Sequence, residues 1–123
     1  MTGSLDGFLL MFMNSYHSLK NKKEFLDVYR HGKHKRNDYF VFFRKENGLD
    51  YDRYGVSVSK KVGNSVVRHH VTRLVRESYR LHESVFNSGL DIVVVARKSA
   101  AEASYQDVES ALLHLAKLEK IIR

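Results

Sequence analysis

Residues 90–96 read Leu-Asp-Ile-Val-Val-Val-Ala, and this short segment restricts the fold more than any other. It is a near-continuous apolar run of strand length, without the apolar-polar alternation of a strand that has one wet face. The run predicts a central strand covered on both sides.

The flanking segments supply candidates for that cover. Asn21-Lys22-Lys23-Glu24 has the spacing of a capping box, and Phe25, Val28 and Tyr29 recur at helical intervals until Gly32 offers a stop, so a first helix is predicted there. Lys33 to Asn37 is expected to be a polar, basic connector. Asp38 to Glu46 contains Tyr39-Phe40-Val41-Phe42-Phe43, a run of high strand propensity, and Asn47-Gly48 follows as a turn signal. In Tyr54 to Ser59 the apolar Tyr54, Val56 and Val58 alternate with Gly55, Ser57 and Ser59, which predicts the antiparallel mate of a hairpin. Val62-Gly63 breaks the pattern and Asn64 can cap a long helix with Val67, Val71, Leu74 and Val75 as its buried stripe. Ser104, with Asp107 three residues on, opens a last helix whose inner face is Val108, Ala111, Leu112, Leu115 and Ile122. The predicted order is helix, strand, strand, helix, strand, helix, an α+β chain without internal repeats.

A length of 123 residues with 43% hydrophobic and 11% aromatic content is enough for one folded domain and too little for two. Residues 16–123 are assigned to that domain and residues 1–15 to a disordered arm or start-site extension, with Met13 as a possible natural start and docking of the segment as the alternative. The longest apolar stretch, Phe8 to Met13, is far short of the roughly 18–20 residues that span a bilayer, and its flanks are not those of a signal peptide. The absence of cysteine removes disulfides, thiolate ligands and thiol nucleophiles, and fits a cytoplasmic location.

The formal charge of +7 points to a partner carrying phosphates, and its distribution sharpens the point. Between Lys60 and Arg80 stand Lys60, Lys61, Arg68, Arg73, Arg76 and Arg80 against Glu77 alone, which is 6 − 1 = +5. At 100° per residue Arg68, His69, Thr72, Arg73, Arg76 and Arg80 fall on one arc, opposite the apolar stripe. A merely solvated helix face mixes signs in i,i+4 pairs, and this one does not. Arginine suits bidentate phosphate contacts, and the helix start at Asn64 adds backbone N–H groups. No other chemistry has comparable support. His31 and His34 lack a third ligand, the adjacent His69 and His70 point about 100° apart, and Ser57 and Ser59 lack a base at any recognisable spacing. Neither a catalytic side chain nor a protein metal site is expected.

The residues around this helix, GVSVSKKVGNSVVRHHVTRLVRE over positions 55–77, resemble the signature of the bacterial ribonuclease P protein subunit. The likeness extends upstream through Leu19-Lys20, Glu24-Phe25, Val28 to Gly32 and Tyr39-Phe40-Val41, and downstream through Asp91 to Lys98 and Leu112 to Leu115. Within the signature the family usually carries Arg-Asn-Arg and a further basic residue two positions later, where this chain has Arg68, His69, His70 and Thr72.

The resemblance implies a two-layer sandwich similar to the second domain of a small ribosomal subunit protein, with a left-handed βαβ crossover against the usual rule. It implies a subunit that binds a catalytic RNA and promotes magnesium-dependent removal of the 5′ leader from precursor tRNA, the Mg2+ being held mainly by the RNA. Lys60, Lys61, Asn64, Arg68, His69, His70, Thr72, Arg73 and Arg76 would contact the RNA subunit. The leader would lie in a cleft between the first helix and the sheet, on Phe25, Tyr29 and Phe43, with Phe40 beside them and Ser57 on the next strand. Core packing is the rival fate of each aromatic ring. No membrane partner and a monomeric protein are expected. The alternatives are a non-enzymatic RNA-binding or ribosome-associated module on the same fold, and a DNA-binding protein that places the basic helix in a major groove.

Overall fold

The computed structural model describes residues 17–19, 21–82, 84, 86 and 89–121. Its elements run β1 (His17–Ser18), α1 (Lys22–His31), β2 (Lys33–Arg36), β3 (Phe40–Glu46), β4 (Arg53–Ser57), α2 (Ser65–His82), β5 (Leu90–Ala96), a 3₁₀ turn (Lys98–Glu102) and α3 (Tyr105–Leu118). The extension expected over residues 1–15 and the inward Ile122 lie outside the described residues.

Local chemistry sets the helix ends. Asn21 Oδ1 accepts from the Glu24 N–H at 3.0 Å while Glu24 Oε1 accepts from the Asn21 N–H at 3.3 Å, the reciprocal box that opens α1. Asn64 Oδ1 accepts from the Val67 N–H at 3.0 Å and starts α2. Ser104 and Asp107 repeat the box at α3, at 3.1 and 3.0 Å. Gly32 ends α1 where no side chain fits, since a Cβ there would stand 2.7 Å from the Arg44 carbonyl oxygen.

The sheet order is β1-β4-β5-β3-β2, with β5 in the centre. β5 pairs antiparallel with β3, from Leu90 opposite Glu46 to Ala96 opposite Phe40, and parallel with β4, from Asp91 opposite Arg53 to Val95 opposite Ser57. The hairpin expected between the two earlier strands is therefore absent, because β5 lies between them. The Asn47-Gly48 turn does form, with Gly48 at φ 73°, but Asn47 Nδ2 donates to Asp91 Oδ1 at 3.0 Å and steers the chain across the start of β5. The supposed connector is also corrected: Lys33–Arg36 is an edge strand, antiparallel to β3 and exposed throughout.

Each face of β5 serves a different core. Ile92 and Val94 join Phe40, Phe42 and Tyr54 beneath α2 and α3, which contribute Val71, Val75 and Tyr79, and Val108, Leu112 and Leu115. Tyr54 and Tyr79 stack with centroids 4.0 Å apart and planes at 16°. Val93 faces the other way, with Leu19, Val28 and the half-buried Phe25, Tyr29, Phe43 and Val95 under α1. Fully burying one such side chain is worth about 1.5–3 kcal/mol, so the smaller cluster is enough to seat α1. Val67 and Leu74, expected in the buried stripe of α2, are only partly covered, and the inner line runs through Val71, Val75, Ser78 and Tyr79 instead.

Two buried carboxylates interrupt these apolar layers. Asp91 is almost fully buried and accepts from Arg53 Nε at 2.8 Å and Nη2 at 2.7 Å, while Arg53 Nη1 reaches Glu24 Oε2 at 3.0 Å, so one guanidinium ties the first turn of α1 to β4 and β5. Glu119, just past α3, accepts from Arg44 Nε at 3.4 Å through Oε1, and its buried Oε2 has no partner among the described residues. Burial raises the Glu119 pKa above the ordinary carboxylate range against the opposing pull of Arg44. A raised carboxylate pKa gives stability that is present at low pH and lost as pH climbs through it. Glu119→Gln, neutral at every pH, is therefore expected to gain stability relative to the parent as pH rises from about 4 to 7, as read by urea denaturation at each pH.

Candidate nucleic-acid interface

Helix α2 presents its cations in two groups. Arg68, Thr72 and Arg76, spaced four apart, are half-buried on the flank that faces β4, where they line a groove of about 240 Å³ with Val56, Val58, Ser65 and His69. Arg68 Nε is buried in it with no partner among the described residues. The Thr72 hydroxyl donates to the Arg68 carbonyl at 2.8 Å, so its proton is spent on the helix and only its oxygen remains to accept. His69 is exposed at the rim of the groove, and His70 and Arg73 are exposed beyond it. Arg80 is paired with Glu77 at 2.7 Å and is partly neutralised. The single arc expected opposite the stripe is thus divided, because the inner line of the helix is rotated toward Tyr79 and draws Arg68, Thr72 and Arg76 to the sheet.

Lys60 and Lys61 are exposed in the turn between β4 and α2. Asn64 is exposed as well, but its oxygen caps Val67, which leaves the Nδ2 amide as its donor. β1 pairs only with Arg53 and Tyr54, so among the described residues the groove opens past an uncovered end of β4.

The second surface lies on the opposite face of the sheet. Residues facing one another across a ladder share a face, so the registers set out two rows. One runs His34, Phe43, Val93, Gly55, and the next runs Arg36, Val41, Val95, Ser57. α1 covers the first row with Phe25 and Tyr29. Phe25 and Tyr29 have centroids 6.5 Å apart, Tyr29 meets Phe43 edge-on at 5.0 Å, and His34 lies over Phe43 at 5.0 Å with planes at 33°. The second row is half-buried at Val41, Val95 and Ser57 and exposed at Arg36. At the place expected for the leader cleft there is thus an aromatic wall, a half-buried apolar strip beside it and cations at the edge of the sheet.

Of the residues expected in the cleft, Phe25, Tyr29 and Phe43 pack together, Ser57 lies in the neighbouring row on the same face, and Phe40 is on the other face. Phe40 is fully buried in the opposite core because strand alternation turns it away from Phe43, and it cannot meet a ligand in the cleft. His34 and Arg36 were missed as members of the cleft, since only the pairing of β2 with β3 puts them on this face. Below the aromatic wall Asp27 accepts from Lys45 at 3.1 Å and His31 at 3.0 Å, and both contacts lower its pKa. No three His, Asp or Glu side chains converge on a possible metal position among the described residues, so the donors present do not fit a protein-held magnesium ion.

The fold and its two surfaces define an α+β nucleic-acid-binding protein. The sequence model of the ribonuclease P family matches residues 13–119. The ribonuclease P protein component of Lachnoclostridium phytofermentans is 57% identical over 105 residues, covering 85% of this chain and 90% of that protein. That of Alkaliphilus metalliredigens is 46% identical over 110 residues, covering 89% and 99%. Among solved structures, the Staphylococcus aureus RNase P protein superposes with a TM-score of 0.81 at 32% identity, covering 87% of this chain and 98% of that one. The Thermotoga maritima RNase P protein gives 0.76 at 34% identity, covering 82% and 96%. The chain belongs to the bacterial ribonuclease P protein component family.

The approach of Phe25 to β4 is tight enough to test the cleft wall directly. A Cβ on Gly55 would stand 2.5 Å from Phe25 Cζ and 3.2 Å from Leu19 Cδ1. Gly55→Ala is expected to cost about 1–3 kcal/mol in urea denaturation through overpacking, and to shift the Phe25 and Tyr29 ring resonances in NMR spectra.

Proposed function

We propose that this chain, as the protein subunit of an endoribonuclease that matures the 5′ end of tRNA, holds the catalytic RNA on the α2 groove and the precursor's single-stranded leader in the α1 cleft. The observation that carries the reading is the double use of β4: Val56 and, beyond the strand end, Val58 line the basic groove, while Gly55 and Ser57 belong to the cleft rows. A substrate strand in the cleft would thus lie one sheet thickness from the docked RNA.

Each surface has the chemistry for its task. Arg68, Arg73 and Arg76, with Lys60 and Lys61, offer phosphate contacts, and His69, His70, Thr72 and Asn64 add polar ones. In the cleft Phe25, Tyr29 and Phe43 offer ring faces and edges to bases, where stacking contributes about 1–3 kcal/mol per base. The magnesium ions and the hydrolytic step belong to the RNA in this reading, and the protein works as a monomer in the cytoplasm through its cations, backbone and rings. Major-groove DNA reading is disfavoured, since Arg68, Thr72 and Arg76 lean on the sheet rather than project from it.

Reconstitution tests the proposal. Added to a bacterial ribonuclease P RNA at low magnesium, the protein should increase the rate of precursor-tRNA cleavage, and no increase would refute the assignment. Arg68→Ala with Arg73→Ala should weaken binding to the RNA subunit and lower the slope of log K against log salt by about 1–2. An unchanged slope would exclude phosphate contacts at these two positions.

A further inference from the structure

Strand β2 carries four consecutive basic residues, Lys33, His34, Lys35 and Arg36, and all four are exposed. Charge on an edge strand discourages pairing with other chains, which is reason enough for cations here. It does not explain how they are sorted. Lys33 and Lys35 stand opposite Arg44 and Phe42, on the α3 side of the sheet, whereas His34 and Arg36 stand opposite Phe43 and Val41, on the cleft side. His34 lies with its ring 5.0 Å from that of Phe43, tilted by only 33°, and so continues the line Phe25, Tyr29, Phe43 to the edge of the sheet. Arg36 ends the row Ser57, Val95, Val41, and among the described residues its guanidinium makes no hydrogen bond or ion pair.

We infer that His34 and Arg36 form a terminal subsite for the distal part of the single-stranded leader, the His34 ring stacking on a base and the Arg36 guanidinium holding the adjoining phosphate. This rests on the reading of the cleft proposed above. The direction follows from the sheet. The α2 groove and the Lys60-Lys61 turn lie at the β4 side, so the docked RNA and its reaction centre lie there too. Leader nucleotides next to the cleaved bond cross β4 and β5 first, and those farther upstream reach β3 and β2. Three strand spacings separate β4 from β2, about 14 Å, so the edge is reached only by a leader of several nucleotides.

The experiment compares the parent protein, assembled with its RNA subunit, on precursor tRNAs bearing leaders of about two and about eight nucleotides. His34→Ala with Arg36→Ala, both at exposed positions, should lower affinity for the long-leader precursor about tenfold and leave the short-leader precursor unchanged. His34→Phe should retain the stacking share of the long-leader affinity, and Arg36→Ala alone should flatten its salt dependence. Lys33→Ala with Lys35→Ala removes two charges from the other face and should leave the preference between leaders intact. Equal loss on both leaders, no loss on either, or the same selective loss in the Lys33/Lys35 variant would overturn the subsite. A parent that does not prefer the long leader would overturn the cleft reading itself, whereas a parent that prefers it and a variant that keeps the preference would overturn the subsite alone.

Discussion

A strand with no wet face obliges the rest of the chain to supply two cores. β5 meets this demand with Ile92 and Val94 toward α2 and α3, and Val93 and Val95 toward α1. The two sides are not equal. Two long helices close the first, while a helix of ten residues covers only part of the second. The uncovered remainder is the floor of the cleft. An apolar strip left open beside aromatic rings and cations is what a single-stranded nucleic acid can use, so the binding surface proposed here is the portion of the second core that α1 is too short to seal.

Apolar contact seats α1 over the strip, and an ion pair fixes where the helix starts. Asp91 occurs in the most buried strand of the sheet, where an isolated carboxylate would be costly, and the bidentate Arg53 with Asn47 compensates it. Because the same guanidinium reaches Glu24, and Glu24 is also the box partner of Asn21, the charge compensation inside the sheet fixes the start of the helix. Apolar packing alone tolerates rotation and sliding, whereas a bidentate contact has one geometry. The spacing between Tyr29 and Phe43 inherits that precision.

Much of this was legible in the amino-acid order, and the failures have physical causes. Caps at Asn21, Asn64 and Ser104 act over three residues, so their helices could be placed from sequence. The continuous apolar run at 90–96 announced a central strand. Strand partnership was different, because Asn47-Gly48 signals only that the chain turns, and any apolar strand can take the vacant edge; β5 displaced the neighbour in sequence. A short run of basic residues has no apolar alternation, so β2 was invisible until β3 paired with it. That omission concealed His34 and Arg36, just as alternation along β3 removed Phe40 from the cleft. Asp91, read as one polar residue in an apolar run, gave no sign of its distant partner Arg53.

The charge pattern takes on a fuller meaning once both faces are known. The middle of α2 holds His69, His70 and Thr72 where the family pattern has more cations, and the Thr72 proton is already committed to the helix. The Lys33–Arg36 strand carries cations at the far edge of the sheet, two of its residues on the cleft side. Field strength at long range depends on the sum, and the sum of +7 still steers a polyanion toward the molecule. Contact chemistry depends on position, and in the function proposed above position divides the work: phosphate contacts with the RNA subunit would concentrate on Arg68, Arg73 and Arg76, while the leader would meet rings first and cations at the rim. A surface that relies on counterion release alone loses affinity more steeply with salt than one that adds stacking to fewer phosphate contacts, so under the proposed function the RNA-subunit contact should weaken faster than the leader contact as ionic strength rises.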